Sequence, residues 1–161
     1  MSGLVAWRGH AYLALAGRLY LGGVFIWACL HKIVDPGAFA LDVATYQLLP
    51  LPLVNLFALV LPWVELLAGA MLIVGLRARA AALLVVAMMM AFIVALAWAL
   101  HQGLEMSCGC FAASGSEDPI SGWTMLRDGA WLVLALYVLI LDRAPLGLDA
   151  ALARRARRGR A

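Results

Sequence analysis

The sequence is poor in charged residues. Lysine and arginine number 12 and aspartate and glutamate number 9 among 161 residues, so 13% of the chain is charged while 66% is hydrophobic. A soluble domain of this length carries roughly 25% charged residues and about half apolar ones. This excess of apolar residues excludes an ordinary soluble domain and favours a membrane protein. Because a long linker and an internal repeat are also lacking, we predict one membrane domain over 1–145 and a basic tail over 146–161.

The sequence contains four long apolar runs. Each has roughly the 20 residues that cross about 30 Å of hydrocarbon as a helix. The runs lack the alternation of barrel strands, so they predict an all-α integral membrane protein with a bundle of four transmembrane helices. The first run carries Arg18 and lacks a clear small-x-small cleavage site, so we expect it to remain as a helix and not to be removed as a signal peptide. The four runs cover about Ala11–Val34, Leu53–Gly75, Ala80–Leu100 and Trp123–Leu141.

Basic residues are unevenly distributed between the predicted loops. One side has Arg8, Arg77, Arg79, Arg143 and the tail "RRARRGR", whereas the other has Lys32 and Arg127 among several acidic residues. The positive-inside rule therefore predicts that both termini are cytoplasmic and that the first and third loops face outward. The tail is explained by topology and attraction to anionic lipids, and we expect no nucleic-acid partner.

Cysteine is scarce, and two of the three cysteines lie in one polar stretch, "HQGLEMSCGCFAASGSEDPISGWTMLRD", residues 101–128. Cys108 and Cys110 are separated only by Gly109, which permits the tight backbone of a small disulfide ring. Strained or exposed disulfides are the labile, catalytic ones, and disulfides persist outside the cytosol. We therefore interpret the pair as a redox site. The alternatives are an inert structural disulfide and unpaired core thiols.

Several basic groups are predicted near these thiols. His101 ends the third run, His31 and Lys32 end the first, and Arg127 lies near the start of the fourth. A cationic neighbour lowers the pKa of a thiol and so favours the nucleophilic thiolate, and the same groups are suited to contact a partner. The histidines are equally explained as polar caps at the membrane interface, and Arg127 as half of a helix-start pair with Asp128.

A metal site is the less favoured interpretation. Cys29, Cys108, Cys110, His31 and His101 provide enough soft ligands for Cu(I) or Zn(II). The chain lacks the Cys-x-x-Cys spacing of structural zinc sites, however, so we predict no metal.

Two charged residues fall inside the predicted membrane helices. Arg18 and Glu65 are each about 12–15 Å from the cytoplasmic face by helical rise, and intramembrane charges usually find a partner. Matched depth predicts an Arg18–Glu65 pair, beside a kink at Pro62. Such a pair serves either as a structural clamp or as a polar wall for a quinone head group or a proton route.

The chain resembles the MauE/DoxX family of small redox-associated membrane proteins over nearly its whole length. The resemblance runs through "GRLYLGGVFIWACLHKIVDP", "YQLLPLPLVNLFALVLPWVELLAGAMLIVG" and "CGCF" followed by "WTMLRD". It departs at Ala112, where the family often has glycine, and at Cys29, which occupies a position expected to be small. The matching residues are Arg18, Lys32, Glu65, Cys108, Cys110, Arg127 and Asp128.

The resemblance implies a four-helix protein of the bacterial inner membrane. It would work beside a thioredoxin-like periplasmic partner in the maturation of an extracytoplasmic protein of the methylamine dehydrogenase type. We accordingly expect thiol–disulfide exchange at Cys108 and Cys110, with electrons passing to or from a quinone by analogy with other four-helix membrane thiol oxidases. Those proteins generally use two cysteine pairs. This chain has three cysteines, so it cannot form the same two-pair relay. The alternatives are a membrane anchor or assembly factor with a structural disulfide, and a protein that handles copper or zinc at the outer face.

Overall fold

The described part of the chain is helical. A computed structural model describes residues 10–104, 120–142 and 147–158. Within those ranges the chain forms α1 (His10–Val34), α2 (Pro36–Thr45), α3 (Leu51–Val74), α4 (Ala78–His101), α5 (Gly122–Leu141) and α6 (Leu148–Arg158).

Four of these helices, α1, α3, α4 and α5, are long and apolar enough to cross a membrane. Their bounds agree with the four predicted runs to within two residues at each end, because the apolar runs stop where the polar loops begin. The predicted all-α, four-helix fold is confirmed. The cytoplasmic location of the termini remains a prediction.

Successive membrane helices run in opposite directions and give the bundle two ends. We call the end with the starts of α1 and α4 and the ends of α3 and α5 the basic end, because Arg77, Arg79 and α6 lie there. The opposite end carries α2, the last turn of α4 and the first turn of α5. The chain leaves this opposite end at Leu104 and returns to it at Ile120.

The connection between α1 and α3, which we expected to be a simple loop, contains the helix α2. Asp35 caps its start, because its side chain accepts a hydrogen bond from the Ala38 N–H at 2.9 Å, and Pro36 occupies the first turn. Phe39 and Asp42 are buried, so α2 lies over the opposite end of the bundle. The Asp35-Pro36 pair is the sequence signal that would have revealed this helix.

Two glycines set the closest approach of α1 and α3. A Cβ atom on Gly22 would lie 2.7 Å from the Gly69 carbonyl oxygen, and one on Gly69 would lie 2.9 Å from the Gly22 carbonyl oxygen. Small residues at such crossings let helix backbones approach and gain van der Waals contact in lipid, where no hydrophobic driving force acts between helices. Gly22 and Gly69 therefore stand at the same height in the bundle.

Helix α3 continues through Pro62, which is buried within it, and ends at Gly75. Gly75 has a left-handed conformation (φ 70°), and the N–H groups of Gly75 and Leu76 both donate to the Met71 carbonyl, at 2.9 and 3.1 Å. Because left-handed φ disfavours residues with a Cβ, glycine makes this C-terminal cap. The cap turns the chain directly into α4.

Candidate functional site

The Cys-Gly-Cys pair, Cys108 and Cys110, lies outside the described residues, so its redox role stays a prediction. The structure describes the two ends of the segment that contains it. On one side the Leu104 N–H donates to the Ala99 carbonyl at 3.1 Å, and on the other the buried Ile120 packs with Tyr46 and Leu96. Leu104 and Ile120, which flank the two cysteines in the sequence, therefore both lie at the opposite end of the bundle.

A buried ion pair lies between α1 and α3, toward this opposite end. Lys32 Nζ donates to both carboxylate oxygens of Glu65, at 2.9 and 3.0 Å, and the side chains are 7% and 11% exposed. The ammonium also stands over the ring of Phe39 on α2, 4.9 Å from its centroid. A cation over an aromatic face is attracted by the negative face of the ring, so α2 helps to hold the pair.

The predicted Arg18–Glu65 pair is wrong, because each residue has a different partner. Arg18 lies four residues before Gly22, and Glu65 four residues before Gly69. Since α1 and α3 are antiparallel and cross at these glycines, the two Cα atoms are about 12 Å apart in height. Helical side chains also tilt toward the N-terminus of their own helix, which directs Arg18 to the basic end and Glu65 to the opposite end.

The same geometry explains why Lys32 reaches Glu65. Lys32 lies about 15 Å above the glycine crossing and Glu65 about 6 Å above it, by helical rise. The Lys32 side chain points down toward the start of α1 and the Glu65 side chain points up toward the start of α3, so the two close the gap between them. The depth of each residue along its helix does not by itself predict the Lys32–Glu65 contact.

Arg18 belongs to a second buried pair at the basic end. Its Nη1 lies 3.4 Å from Asp142 Oδ2, and the side chains are 1% and 3% exposed. Asp142 follows the last residue of α5, and its own N–H donates to the Val138 carbonyl at 3.1 Å. Asp142 was not among the residues predicted from the sequence. The available signal was an acidic residue at the end of the fourth apolar run, at the side toward which Arg18 points.

Cys29 lies in the interior beside the Lys32–Glu65 pair. It is fully buried, its thiol donates to the Ile26 carbonyl at 3.1 Å, and it interacts electrostatically with Glu65 and Lys32. From the sequence it was only a possible metal ligand and a departure from the family pattern. Its location, one turn before Lys32 on the same face of α1, makes it a neighbour of the polar pair.

The remaining predicted site residues within the described ranges lie near the ends of α1, α4 and α5. Arg127 Nε donates to Asp128 Oδ1 at 3.1 Å, and the guanidinium lies 4.9 Å from the Trp131 ring centroid. His101 is exposed at the end of α4, and His31 is half-buried in the last turn of α1. Whether these groups tune Cys108 and Cys110 stays a prediction.

An additional polar contact between α1 and α5 was not foreseen. The Trp131 indole N–H donates to the Tyr20 hydroxyl oxygen at 3.3 Å. It adds to the packing of α1 on α5, where Gly17 faces Leu134 and Val138. Amphipathic aromatic residues in a lipid-exposed sequence look like ordinary interfacial residues, so the sequence carried no signal for this pair.

Metal-ligating side chains do not group together in the part of the chain that the structure describes. No three His, Cys, Asp or Glu side chains of residues 10–104, 120–142 and 147–158 are arranged to hold an ion. The metal interpretation depended on Cys108 and Cys110, which fall outside those residues.

These features define a class of protein: a multi-pass membrane protein of four long helices, in whose described part the buried pairs Arg18–Asp142 and Lys32–Glu65 lie toward opposite ends. A family model described as methylamine utilisation protein MauE matches residues 10–141. The chain belongs to the MauE family.

Two curated relatives agree with this assignment. The methylamine utilization protein MauE of Methylophilus methylotrophus is 33% identical over 144 residues, which cover 87% of this chain and 75% of the relative. The protein of the same name from Paracoccus denitrificans is 33% identical over 122 residues, covering 75% of this chain and 65% of the relative. No solved structure matches the chain.

Proposed function

We propose that this protein is a membrane thiol–disulfide redox component that acts in methylamine utilisation, in the maturation of a methylamine dehydrogenase-type protein outside the cytoplasm. The names of its relatives support the metabolic setting. The observation that supports the chemistry is where the described chain stops before Cys108 and resumes after Cys110. Leu104 and Ile120 both lie at the opposite end of the bundle, and we infer that a water-soluble thiol approaches the cysteines there.

The proposed reaction is an exchange between this pair and a thioredoxin-like periplasmic protein. A thiolate of the partner attacks one sulfur of the Cys108–Cys110 disulfide, the S–S bond breaks, and the other cysteine leaves as a thiolate. A second thiolate of the partner then attacks the mixed disulfide and releases the second cysteine. The partner loses two electrons and two protons overall, and the cysteine pair gains them. Running the same steps backward reduces the partner.

We further propose a membrane quinone as the electron acceptor. Lys32 and Glu65 are the residues whose chemistry fits its head group, since an ammonium donates to a carbonyl oxygen and a carboxylate accepts a proton. A bound quinone would supply a two-electron, two-proton acceptor. In this structure the Lys32 ammonium is occupied by both Glu65 oxygens and by the Phe39 ring, so a head group has to part the pair before it binds.

That closed geometry favours a second candidate, a membrane anchor or assembly factor whose disulfide is structural. Both charges of the Lys32–Glu65 pair are satisfied by each other, as a purely structural clamp requires. The two candidates differ in what the cysteines do. A structural disulfide stays closed in mild reductant, whereas an exchanging one forms a mixed disulfide.

Trapping that mixed disulfide tests the proposal. In a single-cysteine variant the remaining thiolate attacks the disulfide of the oxidised partner, and the cysteine that would resolve the mixed disulfide is missing. One of Cys108→Ser and Cys110→Ser is therefore expected to accumulate a reducible adduct with a thioredoxin-fold protein. Non-reducing gels of membranes, with mass spectrometry of the shifted band, detect it. The double variant is the control, and Cys29→Ser is expected to yield no adduct when the loop pair is intact.

Combining Cys29→Ser with the trapping substitution shows whether the third thiol contributes, and the adduct is expected to persist. Absence of an adduct from both single variants, with the partner present, would replace the exchange mechanism by the structural-disulfide candidate. Stoichiometric copper or zinc on the purified protein would favour metal handling. Quinone recovered from the wild-type protein but not from Glu65→Gln would support the proposed acceptor.

A further inference from the structure

Helix α6, the last described element, has an apolar side and a basic side, and none of its residues takes part in the proposed redox reaction. Leu148 and Leu152, one turn apart, are 40% and 51% exposed and so do not pack fully into the bundle. Arg154 and Arg155 are also exposed. At about 100° per residue, Arg154 projects to the side of the helix away from Leu152, and Arg155 lies at the margin of the leucine side. The helix is amphipathic, with an uncovered apolar side.

The structure fixes where this helix begins. The Asp149 N–H donates to the Gly75 carbonyl at 3.2 Å, and Gly75 is the residue that caps α3. A Cβ on Gly147 would lie 3.0 Å from the same carbonyl oxygen, so the start of α6 and the end of α3 are in direct contact. The first turn of α6 therefore lies at the height at which a membrane-spanning helix ends.

The Arg18–Asp142 pair strengthens this attachment. The guanidinium of Arg18 lies 3.1 Å from the position of a Cβ on Gly75 and 3.3 Å from that of a Cβ on Gly147. It thus touches both glycines while it pairs with Asp142 at the end of α5. Helices α1, α3, α5 and α6 meet at this one side chain, which holds the start of α6 close to the membrane boundary.

We propose that α6 lies on an anionic lipid surface at the basic end of the bundle. Leu148 and Leu152 enter the boundary between head groups and acyl chains, and Arg154 and Arg155 contact lipid phosphates. Charge complementarity identifies this occupant, because arginines beside a transmembrane helix are attracted to anionic lipid. An amphipathic helix with such a basic side binds in the plane of the interface, and its long arginine side chains reach head groups from the margin of the apolar side.

Hydrogen–deuterium exchange of the full-length protein in nanodiscs tests this proposal. Two lipid compositions are compared, phosphatidylcholine alone and phosphatidylcholine with phosphatidylglycerol. The amides of 150–158 are expected to exchange several-fold more slowly in the anionic discs, and added salt is expected to weaken the difference. Exchange in α3 and α4 must be the same in both discs, which shows that the fold is intact.

Variants separate the helix from the general charge of the basic end. Arg154→Gln with Arg155→Gln, and separately Leu152→Asn, are expected to remove most of the lipid-dependent protection. The matched control is Arg77→Gln with Arg79→Gln, which removes the same charge from the same end without altering α6, and it is expected to keep the protection.

Three outcomes would overturn the proposal. The first is equal exchange in both discs, and the second is an equal loss of protection in the control variant. The third is protection that appears in phosphatidylcholine discs only when a short RNA is added, which would identify nucleic acid as the occupant.

Discussion

Lys32 on α1 and Glu65 on α3 are joined by two hydrogen bonds, at 2.9 and 3.0 Å, within the interior of a four-helix membrane bundle. The pair is tied to α2 through the Phe39 ring, and the Cys29 thiol lies beside it. Removal of one partner leaves the other charge uncompensated in a medium of low dielectric constant. The pair is therefore a sensitive point of the fold.

Single substitutions at this pair are expected to be costly and strongly coupled. Lys32→Met or Glu65→Gln should each lower the free energy of unfolding by about 3–5 kcal/mol, because a buried charge loses its partner. The double variant should lose less than the sum of the two, as residues in direct contact are coupled. Denaturant titration of helicity in detergent micelles measures all three.

A second cycle checks that the coupling is specific. Arg18→Met and Glu65→Gln should be additive, since these residues have different partners, whereas Arg18→Met and Asp142→Asn should couple. Strong coupling between Arg18 and Glu65 would contradict the observed arrangement.

Two adjacent glycines of α1 should respond in opposite ways to the same substitution. A Cβ on Gly22 would lie 2.6 Å from Ile73 Cγ1 and 2.7 Å from the Gly69 carbonyl, whereas one on Gly23 meets nothing within 4 Å. Gly22→Ala should therefore destabilise the bundle, by about 1–3 kcal/mol for overpacking. Gly23→Ala, the matched control, should be neutral or stabilising by up to about 1 kcal/mol through helix propensity. Thermal unfolding of the two variants compares them, and equal effects would show that the glycine crossing is not close.

The Cys29 thiol should be inaccessible to water-soluble reagents. It is fully buried, so in the Cys108→Ser/Cys110→Ser background a membrane-impermeant maleimide should leave it unlabelled until the protein is denatured. Val34→Cys, 84% exposed at the end of the same helix, is the positive control in a background that also carries Cys29→Ser. Rapid labelling of Cys29 in the folded protein would mean that the α1–α3 interface opens.

Sidedness follows from the arginines and can be measured directly. Reporter fusions at Arg77 and after the last residue should give a cytoplasmic signal, and a fusion at Ser114 a periplasmic one, because Lys and Arg in short loops are retained inside. A cytoplasmic signal at Ser114 would place Cys108 and Cys110 in a reducing compartment and remove the basis of the exchange mechanism.

The sequence by itself determined the number, length and position of the membrane helices. Apolar runs of about 20 residues bounded by polar loops satisfy their backbone hydrogen bonds in lipid by forming helices. The bounds of α1, α3, α4 and α5 followed from these runs. It also contained the signal for α2 in Asp35-Pro36, and its motifs carried the resemblance to MauE, the family to which the chain belongs.

Only the tertiary structure decided which charges meet. Depth along a helix can be estimated from the sequence, and that estimate predicted similar heights for Arg18 and Glu65. In the structure their heights differ. The partners depend also on where the helices cross and on which way each side chain tilts. The Gly22–Gly69 crossing sets the relative height of α1 and α3, and the antiparallel arrangement turns Arg18 toward Asp142 and Lys32 toward Glu65, because every helical side chain leans toward its own N-terminus.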